Sequence, residues 1–322
     1  MLKIEKYRSS DEDLWDSFIH SSNNGTLFHL RSFLNYHPKD RFIDHSLIIT
    51  KKGKLFSVFP AAEQIINNNK FLVSHPGASI GSFVVREDLS IADSMELVKL
   101  LVVYTRENKF KGIRITLPPN LYQYRLSDYL VFSFFKNDFI YVNRDITSIL
   151  FLEKTIEKTL KKFRSSHKRS IRKAKEYGIT VRQSQNFPAF YKILKQNLKI
   201  RHHVSPTHSV EELINIQKIF PSRCNLFGAY LQNKMIAGVV NFVINKHVLL
   251  AFYISHDENY SELRSVNLLF YTIFEWAIES GYVIYDFGTF TVKEEPNMGL
   301  GRFKENFGAS GIFRDTIELV LP

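Results

Sequence analysis

Between Lys161 and Glu176 the sequence carries eight lysines and arginines against one acid, so this short stretch supplies +7 of a chain total of +11. Side chains of this kind at such density hold phosphate or carboxylate oxygens through charge-assisted hydrogen bonds and counterion release. Lys168, Arg169 and Arg172 are the candidate anion contacts of the run; the plain alternative is a solvated helix face, since charge fields report on partners only loosely. Two further residues suit proton chemistry. His256, after "AFYIS", and Asp286, in "YDFG", each close a strand, where the carboxyl end of an open α/β sheet meets its cleft. A histidine there is either a surface residue or a base with a pKa near neutrality. The carboxylate can take a proton, or serve the turn before Gly288. In "KIRHHVSPTHS" three histidines stand close together, yet none has the helical i, i+4 spacing and no nearby carboxylate completes a zinc site. No metal is expected. Arg201 and His208 of that loop fit an anionic acceptor better, while Arg31 and Tyr36, in "HLRSFLNYH", read as one face of a helix.

The elements that must position these residues are legible from periodicity and caps. Ile156, Leu160, Phe163, His167, Ile171 and Ala174 recur at spacings of three and four, one narrow face of a helix over 153–177. Gly178 sits where a left-handed C-cap belongs, and the cations crowd the end that the helix dipole favours. The spacing predicts a docked helix with Phe163 and Ile171 buried and its basic residues outside. Beyond it come a strand ("ITVRQ"), a helix ("FPAFYKILKQNLKI"), and a capping box of Ser209 and Glu212 opening a second helix that Pro221 closes. Three strands follow from about 225 to 255, then a helix over 265–280, the strand "YVIYDF", a short helix around "GRFKENF" and the strand "FRDTIELVL". The first half runs in the same order. A hairpin ("SLIITKKGKLFSVFPAAEQI"), a strand, a long apolar helix ("DSMELVKLLVVYTRENKF") and a short strand ("GIRITL") precede the basic run. The expectation is an α/β (α+β) protein of two modules, 1–150 and 151–322, each a mixed sheet flanked by helices.

Length and composition agree. A chain of 322 residues suits two domains of about 150 residues, and 44% hydrophobic with 23% charged residues is ordinary globular composition. No signal-peptide pattern opens the chain and no stretch of about 18 apolar residues occurs, so a cytoplasmic protein is expected, with at most peripheral membrane contact. One cysteine, Cys224, allows neither an internal disulfide nor a cysteine-built metal site, and its apolar neighbours read as packing.

The strings "HKRSIRKAKEYGITV", "MIAGVVNFV", "NLLFYTIFEWAIESGYVIYDFG" and "NMGLGRFKENFGA", in this order, resemble the acyl-CoA N-acyltransferase (GNAT) fold in the doubled form of the FemAB-like transferases. In the first half, "GTLFHLRSFL" and "LVSHPGASIGSFVV" are similar to related acetyltransferase-like families of polysaccharide clusters. The resemblance implies transfer of an activated aminoacyl or acyl group to an amine of a cell-envelope or surface-glycan precursor. The donor would be aminoacyl-tRNA or acyl-CoA, with no tightly bound cofactor, and the acceptor a nucleotide- or lipid-linked precursor or a small amine. It implies that Lys304, in a Phe-Lys pair with Phe303, stabilises charge developing at the reacting carbonyl; Phe303 and Phe307 would bury its stem. Asp286 and His256 join Lys304 as candidate catalytic residues, and Arg201, His208, Phe303, Tyr253 and Asn267 as substrate contacts. Conventional GNAT enzymes hold the CoA pyrophosphate in an R/Q-x-x-G-x-G/A turn at a helix N-terminus. The matching stretch, "NYSELRSVNLLFY", contains no glycine, which speaks against ordinary CoA binding. The alternative function is an acyl-CoA-dependent N-acetyltransferase acting on an amino sugar. A nucleic-acid-binding protein without catalysis would explain the charge but leave "GRFKENFG" unused.

Overall fold

In the computed structural model, residues 1–38, 40–202 and 206–322 are described, and the side chains of 199–202 lie outside the described residues. The chain divides into one unit of Met1–Asp145 with Phe313–Pro322 and a second of Ile146–Ile312.

In the first unit, Lys52 and Gly53 both take positive φ (51° and 75°), as a two-residue turn joining strands Leu47–Lys51 and Lys54–Phe59 requires. Strand Asn69–Ser74 runs parallel to Gly112–Thr116, with Phe71 opposite Gly112. Parallel neighbours need a crossover. The helix Ile91–Glu107 supplies it, burying Leu97, Val98 and Leu101 among Phe59, Leu72, Ile113 and Phe134. Thr316–Val320, the end of the last strand, pair antiparallel with Gly112–Thr116. A strand read in the sequence as the close of the second half thus belongs with the first unit.

The second unit repeats the plan. Strand Val248–His256 runs parallel to Ile284–Thr289, and the helix Ser265–Glu279 crosses between them. Leu269, Phe270, Ile273, Phe274 and Ala277 are fully buried on its inner face; each large side chain of this kind contributes about 1.5–3 kcal/mol. The antiparallel strands Lys234–Val243, Cys224–Leu231 and Ile179–Ser184 extend the sheet on one side of this pair, and Thr147–Phe151 add to it on the other.

The basic run differs from its expectation in one respect. It is two helices, Ile156–Leu160 and Ser165–Glu176, because the amide of Arg164 leaves the helical ladder to donate to the Asn306 carbonyl at 3.0 Å. That approach needs glycine: a Cβ on Gly308, whose φ is +86°, would lie 2.6 Å from the Cβ of Lys162. The apolar face nevertheless holds, with Phe163, Ile171 and Ala174 buried and Lys168, Arg169 and Arg172 exposed. Gly178, at φ +72°, follows the helix in the left-handed conformation its position implied.

Candidate functional site

A cleft of about 1310 Å³ opens in the second unit. One wall is the basic helix Ser165–Glu176, which contributes Ser166, His167, Arg169, Ser170, Arg172 and Lys173. Facing it is the first turn of the helix Ser265–Glu279, with Ser265, Val266 and Asn267; Leu194, Asn197 and Leu198 of the helix Phe187–His202 and Ile254–His256 complete the enclosure. Arg264 precedes the first turn in the left-handed region (φ 56°) and gives it no side-chain cap, and no acidic residue stands in that turn. Backbone N–H groups at such a start favour an anion. Asn267 strengthens the site. It is 7% exposed, lines the cleft, and its Nδ2 finds no hydrogen-bond partner although it is buried. A buried amide left in this state is a donor waiting for an acceptor. No ion pair holds Arg169 or Arg172 among the described residues.

His256 lines the same cleft, its Nε2 3.5 Å from Glu258 Oε2. Phe303 lines it from the helix Met298–Glu305 and packs 5.7 Å from the ring of His167. His167 itself is driven down to about 4 by burial and stays neutral at physiological pH. Lys168 points elsewhere; it does not line the cleft.

Lys304 and Asp286 do not line the cleft and meet instead at the turn around Gly288. Lys304 is 1% exposed, and its Nζ donates to the carbonyls of Gly288 at 2.6 Å and Thr289 at 2.9 Å. Asp286 is fully buried; its Oδ1 accepts from the Gly288 amide at 2.6 Å and from the Thr147 hydroxyl. Phe307 is fully buried, its ring stacked 5.6 Å from that of Phe287. Nothing in the local sequence singles out Thr147, because it sits on a strand more than a hundred residues before its partner.

His208 and Tyr253 form a third group. The His208 Nδ1 lies 2.9 Å from the Tyr253 hydroxyl, whose pKa burial raises, and the His208 carbonyl accepts from Tyr191 at 3.1 Å. The side chain of Arg201 lies outside the described residues. In the first unit Arg31 is no surface contact: it is 2% exposed, paired with Asp44 at 3.0 Å and stacked 4.0 Å over the Tyr7 ring. Cys224 is buried and its thiol is pushed up to about 12, which keeps it unreactive. Among the described residues no group of three His, Cys, Asp or Glu side chains could hold a metal ion, and no helix is long and apolar enough to cross a membrane.

The second unit thus sets a parallel strand pair, bridged by a helix, with the start of that helix against a basic wall. Residues 161–305 match the acetyltransferase (GNAT) domain family, so this part of the chain carries a GNAT-type domain and the protein is an acyltransferase. Its fold is that of FemX, with a TM-score of 0.74 at 15% identity over 98% of this chain and 97% of that one. L-PGS from Bacillus licheniformis shares it with a TM-score of 0.61 at 12% identity, covering 98% and 92% of the two chains. A tandem GNAT protein from the clavulanic acid biosynthesis pathway does so at 0.55 and 9%, over 99% and 98%. No curated protein matches the sequence.

Proposed function

We propose that the protein transfers an aminoacyl or acyl group from a phosphate-bearing donor to an amine of a cell-envelope or surface-glycan precursor. The observation that carries this reading is the cleft wall of Arg169 and Arg172 set against the uncapped start of the helix Ser265–Glu279, with the unpartnered Asn267 amide between. These groups hold the donor's phosphates and so bring its carbonyl into the unit. The acceptor amine attacks that carbonyl once it is neutral; His256, with Glu258 beside it, takes the amine proton. As the tetrahedral intermediate forms, the Lys304 ammonium, buried and bonded to the Gly288 and Thr289 carbonyls outside the cleft lining, stabilises its oxyanion through its field and not by contact, and collapse releases the donor's alcohol or thiol. The FemAB-like resemblance and the fold shared with FemX support an aminoacyl ester and a precursor amine as the reacting pair.

The acyl-CoA reading has one observation of its own in its favour. Ser265 and Asn267 supply polar donors where the usual glycines are missing, so a pyrophosphate has partners there. Calorimetric titration with acetyl-CoA and, separately, with aminoacyl-tRNA decides between the donors. The true donor at a hundred times its Kd should stabilise the protein by about 2.7 kcal/mol in a thermal melt. Absence of binding by both would remove the phosphate-cleft reading.

A further inference from the structure

We propose that the bulge at Asp286–Thr289 is a cradle that sets the position of the Lys304 ammonium, and that Thr147, on the neighbouring strand, is the positioning residue that holds it. The proposal rests on the reading of Lys304 as the charge-stabilising group, although its test is independent of turnover. In the antiparallel pairing, Asp286 stands opposite Ile149 and Thr289 opposite Thr147, so three steps on one strand answer two on the other. The extra residue puts Gly288 at φ +75°, a conformation that only glycine adopts freely.

The bulge matters because of where carbonyls point. Along a regular strand successive carbonyls face opposite ways, and no single ammonium could meet both. Here Gly288 and Thr289 turn their carbonyls onto one Nζ. The turn is held from inside by Asp286 Oδ1, which accepts from the Gly288 amide and from the Thr147 hydroxyl. Both side chains are fully buried, where an incompletely bonded carboxylate is costly. Thr147 therefore anchors Asp286, Asp286 closes the turn, and the turn aims two carbonyls at Lys304. In this scheme Asp286 acts on the lysine's geometry and Thr147 acts through Asp286.

The test is the chemical reactivity of Lys304 itself. The native protein, Thr147→Val and Thr147→Ser are treated with limiting acetic anhydride at mildly alkaline pH, and acetylation is read lysine by lysine by mass spectrometry. Lys168, exposed on the basic helix, is the reference. Native Lys304 should react far more slowly than Lys168. Thr147→Val, which keeps the shape and removes the hydroxyl, should speed Lys304 about tenfold, the factor one net hydrogen bond sets, with Lys168 unchanged. Thr147→Ser should return Lys304 towards the native rate. Three results overturn the proposal: native reactivity of Lys304 in the valine variant, a serine variant as reactive as the valine one, or acceleration of the half-buried Lys51, Lys70 and Lys162 together with Lys304, which marks Thr147 as a general packing residue. Turnover of Lys304→Met separately judges the catalytic role. A cradle upheld by labelling beside full turnover in that variant would remove the role and leave the geometry.

Discussion

Replacing Lys304 by methionine keeps the aliphatic stem and removes the ammonium, so its cost divides into a structural and a chemical part. The structural part follows from two bonds. Nζ serves the carbonyls of Gly288 and Thr289 from a site 1% exposed, and a buried acceptor that loses its donor costs about 1–3 kcal/mol. Together the two carbonyls put the loss at about 2–6 kcal/mol, or roughly 4–24 °C in the melting temperature for a unit of this size. Loss of one charge-stabilising donor lowers kcat about 10²-fold to 10³-fold. The two parts separate by experiment. Steady-state transfer is measured well below the variant's own melting temperature and expressed per folded molecule, with circular dichroism on the same sample. Full turnover in a folded Lys304→Met protein would refute the assignment of Lys304 to the developing charge, and an unchanged melting temperature would refute the structural account of its two bonds.

Arg169→Gln with Arg172→Gln should weaken donor binding and flatten its salt dependence by close to two phosphate contacts, a slope change of about 1.8 on logarithmic axes, while kcat under saturation stays near native; titration at three salt concentrations reads this out. Asn267→Asp should weaken donor binding by placing a carboxylate where phosphate is proposed to sit. The same acid in the first turn of a helix gains about 0.3–1 kcal/mol from the dipole, so a melting temperature that rises while affinity falls is the expected pair of signs, and a fall in both argues against an anion site. Acid should destabilise the protein in a defined window. Burial holds His29 and His167 at about 4, below the ordinary 6.5, so the unfolded chain takes up protons first and the stability present above pH 6.5 is lost as pH falls towards 4. At about 1.4 kcal/mol per pH unit, His29 alone accounts for about 3 kcal/mol, and denaturant unfolding of His29→Gln should show a shallower loss over the same window.

Some of the site was open to a sequence reading because its signals are local. The basic face, the buried stripe at Phe163, Ile171 and Ala174, the cap at Gly178 and the box of Ser209 and Glu212 each depend on neighbours within one helical turn, where spacing alone decides which side chains meet. The doubled order of elements was legible for the same reason, since each strand and helix announces itself by its own period. Asn267 is among the expected substrate contacts, and it stands in the opening turn of a helix. That its amide is left without a partner could not be known from that place.

What tertiary structure alone decided lies between residues far apart in the chain. The break in the basic run follows from a bond between Arg164 and Asn306, and no property of residues 161–164 calls for it. The division of the basic side chains follows from packing against the helix Ser265–Glu279, which sets Arg169 and Arg172 on the cleft and leaves Lys168 off it. The last strand joined the first unit because its ladder partners, Gly112–Thr116, lie there; hydrogen-bonded pairing carries no trace in the period of a strand. Lys304 and Asp286 were visible as chemical types, but their burial, and the Thr147 hydroxyl that meets Asp286, depend on a bulge formed by two strands about 140 residues apart. Local periodicity determines which face of an element turns inward, whereas only the assembled sheet determines which two inward faces meet.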